Sequence, residues 1–121
     1  MLRTIRKENP ELVRTLIELR RASKAHSAPL WGAVAERLAK PRHQGIPVNV
    51  GHLERLVAPQ ETVVIPGKLL AAGRLTKPLT VAAFHYSEQA REKIHGAGGK
   101  ALTIDELLKA RPDGAGVRIV G

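Results

Sequence analysis

The chain has 121 residues, the length of one ordinary domain, and no cysteine, which excludes disulfides, thiolate nucleophiles and cysteine-based zinc or iron–sulfur sites. Twenty Lys and Arg against eleven Asp and Glu give a formal charge of +9, so a polyanion is the expected partner. No apolar run approaches the length of a membrane span and the first ten residues hold no apolar signal core, so no membrane contact or export is expected, and cysteine-free composition agrees with a cytoplasmic setting.

The positive charge is uneven. Residues 1–45 hold 10 basic and 4 acidic side chains, residues 46–86 hold 4 and 2, and residues 87–121 hold 6 and 5, which starts the basic surface at the N-terminus. Asn9, Pro10 and Glu11 supply an N-cap, a proline at the first helical position and a first-turn acid. Leu12, Val13, Leu16, Ile17 and Leu19 follow at helical spacing, so a helix is predicted over residues 10–25. At 100° per residue Lys7, Arg14 and Arg21 fall on one line, opposite Leu12, Leu16 and Leu19. Glu11 and Glu18 flank that line, so it is either paired and solvated or turned to a polyanion. Arg20 and Lys24 differ, because they interrupt the Val13 and Ile17 side and have no acid three or four residues away. They are the stronger binding candidates on this helix.

Ser27 is expected to cap a second helix through Leu30, Trp31, Val34, Ala35 and Leu38, with Trp31 in the core and an end before Pro41. Residues 40–45, with Lys40, Arg42 and His43, read as an exposed basic connector suited to phosphate. The texture then changes to short strands and helices. A strand is predicted over 46–50, then a short helix over 51–56 with His52, Leu53 and Leu56 toward the core. A buried strand over 62–65 is expected to end at Pro66-Gly67, and another spans 79–84. The connector between them carries Lys68, Arg74 and Lys77 without a nearby acid in sequence, which predicts one basic patch. Ser87 caps a helix over about 88–95, closed by Gly96 or Gly98. A strand at 100–103, a capping box of Thr103 with Glu106 opening a helix to 109 or 110, and a terminal strand at 116–120 complete the layout.

Three aromatic residues, Trp31, Phe84 and Tyr86, are too few for a platform that stacks several bases, so contacts to backbone and shape are expected instead. Gly96-Ala97-Gly98-Gly99-Lys100 lacks the glycine at Ile94 and the hydroxyl at Ala101 that a nucleotide phosphate loop needs, and it precedes a strand. The five histidines have no metal-ligand spacing. Ser87, His85 and Asp105 supply the residue types of a hydrolytic triad, but Ser87 sits in no nucleophile elbow and its capping position accounts for it. No enzyme activity, cofactor, metal or small-molecule substrate is predicted.

The run Thr62-Val-Val-Ile-Pro-Gly-Lys-Leu-Leu-Ala-Ala-Gly-Arg-Leu-Thr-Lys-Pro-Leu-Thr-Val-Ala-Ala-Phe84 closely resembles the archaeal and eukaryotic large-subunit ribosomal protein family eighteen-e. Ser87 to Ile94, Ala97 to Lys100, Leu102 to Leu107, Gly116 to Ile119, Asn9-Pro10 and Val48-Asn49-Val50 extend the likeness over most of the chain. The resemblance implies a fold shared with bacterial large-subunit ribosomal protein fifteen, no reaction, and rRNA and neighbouring large-subunit proteins as partners on a cytoplasmic ribosome. An architectural DNA-binding protein meets the same charge description and stays open as the alternative.

The expected architecture is α/β: a basic helical N-terminal segment over 1–45, followed by a compact mixed domain of short strands and helices over 46–121. The RNA-binding candidates are Arg3, Arg6, Lys7, Arg20, Arg21, Lys24, Lys40, Arg42, His43, Lys68, Arg74, Lys77 and Arg118. Lys68 and Arg74 draw on the resemblance as well as on loop charge.

Overall fold

The computed structural model describes residues 10–40 and 47–121. Helix α1 (Pro10–Ala25) has Glu11 in its first turn and Lys24 in its last, both favourable to the helix dipole, and it buries Leu12, Thr15 and Leu19. The chain reverses through Ser27 at φ 48° and enters α2 (Pro29–Ala39), which buries Trp31, Val34, Ala35 and Leu38. Ser27 therefore does not cap α2. The N-cap position is Ala28 without a side-chain bond, and Pro29 leaves one fewer amide for a cap to serve.

Five parallel strands form the sheet: β1 (Val48–Asn49), β2 (Thr62–Leu70), β3 (Thr80–Tyr86), β4 (Lys100–Leu102) and β5 (Val117–Ile119). Their order is β1-β2-β3-β4, and β5 also pairs with β2. One edge of β2 is thus shared, with β5 beside Thr62 to Val64 and β1 beside Leu69 and Leu70. Among the described residues the remaining helices are α3 (Val50–Leu56), α4 (Glu88–Gly96) and α5 (Ile104–Ala110).

Side-chain alternation on the central strands divides the interior into two cores. Val63, Ile65, Leu69, Val81 and Ala83 pack with Val50 and Leu53 of α3 and Ala90 and Ile94 of α4. Val64 and Ala82 point the other way, into a cluster with Leu12 and Leu19 of α1, Trp31 and Leu38 of α2, and Ile104 and Leu107 of α5. The result is helix, sheet, helix in three layers, with the first two helices part of the second core.

Three strand and helix expectations change. Strand β2 does not stop at Pro66-Gly67 but runs on to Leu70, with a register shift against β3 between Ile65 and Lys68. A proline and a glycine fit there because the ladder is already interrupted, and neither β1 nor β5 reaches that stretch. The strand predicted from Ile46 has a shorter described span, since Val50 already opens α3. In α3 only Leu53 of the three proposed core residues is buried; His52 and Leu56 face outward, because Val50 and Leu53 point to the sheet on a helix of two turns.

The predicted caps of α4 and α5 are present. Ser87 Oγ accepts from Ala90 N at 3.1 Å, and Thr103 and Glu106 exchange both bonds of a capping box. Between them Tyr86 ties β3 to β4: its hydroxyl accepts from Ala83 N (3.1 Å) and has Val81 O and Leu102 O within donating reach. Burial, partly offset by these backbone contacts, pushes the phenol up to about 12. The fold holds this acid protonated, so its contribution is complete below the ordinary value of 10 and is lost as pH rises toward about 12. Tyr86→Phe is expected to lower stability at neutral pH by about 1–2 kcal/mol and to abolish this part of the alkaline loss. Urea melts of both proteins at neutral pH and above pH 11 check it; a parallel decline in the two would refute the assignment.

Candidate nucleic-acid interface

A lysine or arginine can serve a polyanion only if its donors are not already spent on the protein itself. Several are spent. Lys77 Nζ donates to Glu54 O (2.6 Å) and Val57 O (2.8 Å), the carbonyls that end α3. Lys93 Nζ donates to Ala71 O (2.7 Å) and Gly73 O (2.6 Å). Arg37 donates to Gly121 O, Arg111 to Ala115 O, and Arg118 to Leu56 O, with Glu61 3.7 Å from the Arg118 guanidinium. These cations close loop and helix ends.

The segment after β2 is held closely by such contacts. Gly51 N donates to Ala72 O at 2.9 Å, and Asn49 Oδ1 accepts from Ala72 N at 3.2 Å. Gly73 adopts φ +95°, and a Cβ there would lie 2.6 Å from the Gly51 Cα, so this approach needs glycine. Thr76 gives Glu54 both its amide (2.9 Å) and its hydroxyl (2.6 Å), and these bonds, with Lys77 and Arg74 nearby, hold the Glu54 carboxyl below its usual range. The expectation of one Lys68, Arg74 and Lys77 patch without an acid is therefore corrected. Lys68 stands on β2 itself, Lys77 is bonded to α3, and Glu54, remote in sequence, lies against the connector. Arg74 is exposed beside the Gly73 turn and forms no hydrogen bond among the described residues.

Open basic positions on the described surface include the outer stripe of α1, the Gly73 turn and the carboxyl end of the sheet. On α1, Val13, Ile17, Arg20 and Lys24 share a stripe about 60° wide, pointing away from Leu12 and Leu19. Ile17 is 48% exposed there. Arg20 and Lys24 have no salt bridge among the described residues, whereas Arg21 pairs with Glu18 at 3.3 Å, one of the two roles its position allowed. At the Gly73 turn, Arg74 lies on one side, and His52 and Arg55 line a groove with Asn49, Ala72 and Gly73 on the other. Arg55 was missed by sequence reasoning; its place on an outward helix face was obscured by assigning His52 and Leu56 to the core. At the carboxyl end of the sheet, Lys68 is paired in register with His85, and both are exposed. Lys40 is exposed at the end of α2. Arg3, Arg6, Lys7, Arg42 and His43 lie outside the described residues.

No catalytic arrangement competes with these surfaces among the described residues. Ser87 Oγ serves its own helix, His85 lies edge-on to Phe84 at 4.5 Å, and the buried Oδ1 of Asp105 has no hydrogen-bond partner. Among the described residues no group of three side chains could hold a metal ion, and no helix is long and apolar enough to cross a membrane.

Comparison with known proteins agrees with the sequence motifs. Residues 3–120 match the family model described as ribosomal protein 60S L18 and 50S L18e. The chain is 49% identical over 116 residues to a protein of Archaeoglobus fulgidus named large ribosomal subunit protein eL18, covering 96% of this chain and 99% of that one. Proteins of the same name from Methanopyrus kandleri and Pyrobaculum aerophilum are 46% and 51% identical, covering 93% and 84% of this chain and 92% and 84% of their own. With a near-complete match to the family model and to relatives at this identity, the chain belongs to the family of 60S L18 and 50S L18e ribosomal proteins.

Proposed function

We propose that this chain is a structural constituent of the large ribosomal subunit in the cytoplasm, where it binds folded rRNA and adjoins other subunit proteins. It acts by position and charge, with no reaction and no cofactor. The observation that carries the reading is the division among its cations: Lys77, Lys93, Arg37, Arg111 and Arg118 donate to the protein's own carbonyls, while Arg20, Lys24, Lys68 and Arg74 stand exposed without such bonds among the described residues. The names of its relatives support the ribosomal setting. The scarcity of aromatic residues favours phosphate contacts over base stacking.

Filter binding to transcribed large-subunit rRNA tests this. A protein that neutralises about six phosphates loses roughly a thousandfold in affinity between 50 and 200 mM salt, and a flat salt dependence would sink the proposal. Lys68→Ala and Arg74→Ala are each expected to reduce the salt slope by roughly one while leaving the melting temperature unchanged. Lys77→Ala should do the reverse, lowering stability by about 1–3 kcal/mol by orphaning two carbonyls. Equal competition by duplex DNA would replace this reading with an architectural DNA-binding role.

A further inference from the structure

We infer that Lys93 is a positioning residue for rRNA binding: by holding the Gly73 turn in one shape in the free chain, it fixes the direction in which Arg74 is offered to phosphate. The inference rests on the reading above that RNA is the partner, and adds that this part of the binding surface is formed before RNA arrives.

The connector from Ala71 to Lys77 belongs to no helix or strand, and fixing such a stretch costs backbone entropy at every residue. Anchors nevertheless reach it from three other elements. Asn49 at the end of β1 takes the Ala72 amide, Gly51 of α3 bonds the Ala72 carbonyl and touches Gly73, and Glu54 of α3 takes the amide and hydroxyl of Thr76. All of these lie on the β1 and α3 side. On the other side a groove separates Gly73 to Thr76 from Gln89, Glu92 and Gly96 of α4, and Lys93 crosses it. No other side chain of α4 bonds the connector among the described residues.

The atoms that Lys93 holds explain its role. Its Nζ donates to Ala71 O at 2.7 Å and to Gly73 O at 2.6 Å, on either side of Ala72. The Gly73 carbonyl belongs to the planar peptide unit that joins Gly73 to Arg74, so its direction sets where the Arg74 Cα stands. Gly73, at φ +95°, is the residue of the connector with the widest backbone freedom, and the lysine removes that freedom at the point where it would reach Arg74. Arg74 is exposed and has no ion pair among the described residues, although Glu92 lines the same groove.

The Lys93 bonds are exposed, whereas those of Lys77 to the end of α3 are partly buried. Removing Lys93 lets its two carbonyls return to water, so the fold loses little. What goes is the preformed turn, which RNA then has to order as it binds, and affinity falls for that reason.

A double-mutant cycle on the full chain tests this, with filter binding to transcribed large-subunit rRNA as the readout. Lys93→Met keeps the stem and removes the donors. Lys93→Met and Arg74→Ala are each expected to weaken binding by about tenfold, and the double variant by little more than either, with unchanged melting temperatures. In the free Lys93→Met chain the Ala72 amide should exchange with deuterium faster than in the parent, since the turn that holds it against Asn49 is loosened. Failure of the unmodified chain to form a saturable rRNA complex would refute the RNA reading itself. Given a saturable complex, three results would leave that reading standing and overturn the positioning role: losses that add in the double variant, which would make Lys93 an independent phosphate contact; a single variant that binds as the parent does; or an Ala72 exchange rate that Lys93→Met leaves unchanged.

Discussion

Replacing Trp31 by alanine is expected to remove about 3–5 kcal/mol of folding stability, a large share of the 5–15 kcal/mol typical of a domain. The indole is fully buried and lies in one cluster with Leu12, Leu19, Val64, Ile104 and Leu107, so it joins three helices to the sheet. Its Nε1 also donates to Pro112 O at 2.8 Å, which anchors the turn that leads from α5 into β5. That turn fits tightly, since a Cβ at Gly114 would lie 2.9 Å from Leu30. Truncation would leave a large cavity and an unpaired carbonyl together. Trp31→Phe separates the two contributions: it keeps most of the ring volume and loses the donor, for an expected loss of about 1–3 kcal/mol. Urea midpoints for the three proteins give the ranking, and an alanine variant within about 1 kcal/mol of the parent would contradict this account of the core.

The second large effect is expected at Gly99. A Cβ there would meet Leu79 O at 2.2 Å and Leu79 N at 2.9 Å, both backbone atoms of the residue before β3. The same stretch is held by Gly99 N donating to Ile94 O and Lys100 N donating to Leu79 O, each at 2.9 Å. Gly99→Ala must therefore part β4 from the start of β3 at the point where the pair begins, at a cost of about 3 kcal/mol or more. Two neighbouring glycines provide the contrast. Gly98 has φ +84°, and a Cβ there would make only an ordinary contact with Pro78 Cβ at 3.8 Å, so alanine carries mainly the left-handed backbone penalty of about 1–2 kcal/mol. Gly96 ends α4 with nothing within 4 Å, and alanine there is expected to be neutral or stabilising by up to about 1 kcal/mol. Thermal melts of the three single variants should rank in that order. A Gly99→Ala protein as stable as Gly96→Ala would show that the β3 and β4 approach tolerates a side chain.

These glycines mark a boundary between local and tertiary information. Residues 96–99 read in sequence as a helix end leading into a strand, which is what they are, yet the sequence does not distinguish the three because the obstacle to each side chain is supplied by Leu79 or is absent. The same division runs through the chain. Helix α1, the Ser87 cap and the Thr103–Glu106 capping box were legible because their signals act within one turn of backbone. Trp31 was legible as core because a large apolar residue at helical spacing has nowhere else to go. The net charge of +9 and the ordered motifs of the middle and C-terminal segments, likewise properties of the chain alone, carried the family.

What the tertiary structure decided is which cations remain open. Lys77 and Lys93 look like surface charges in sequence, and each is bound to carbonyls of residues at least twenty positions away. A carbonyl has no signature in the amino-acid sequence, so folding alone reveals that a lysine is closing a helix or a turn. Pro66 and Gly67 continue β2 because the ladder to β3 shifts register there and β1 and β5 fall short of them, and His52 and Leu56 face outward because two turns of helix offer the sheet only one side. Chain composition set the excess of positive charge; packing sorted it into charges that hold the fold together and charges left at its surface, since only assembled elements bring distant donors and acceptors within hydrogen-bond reach.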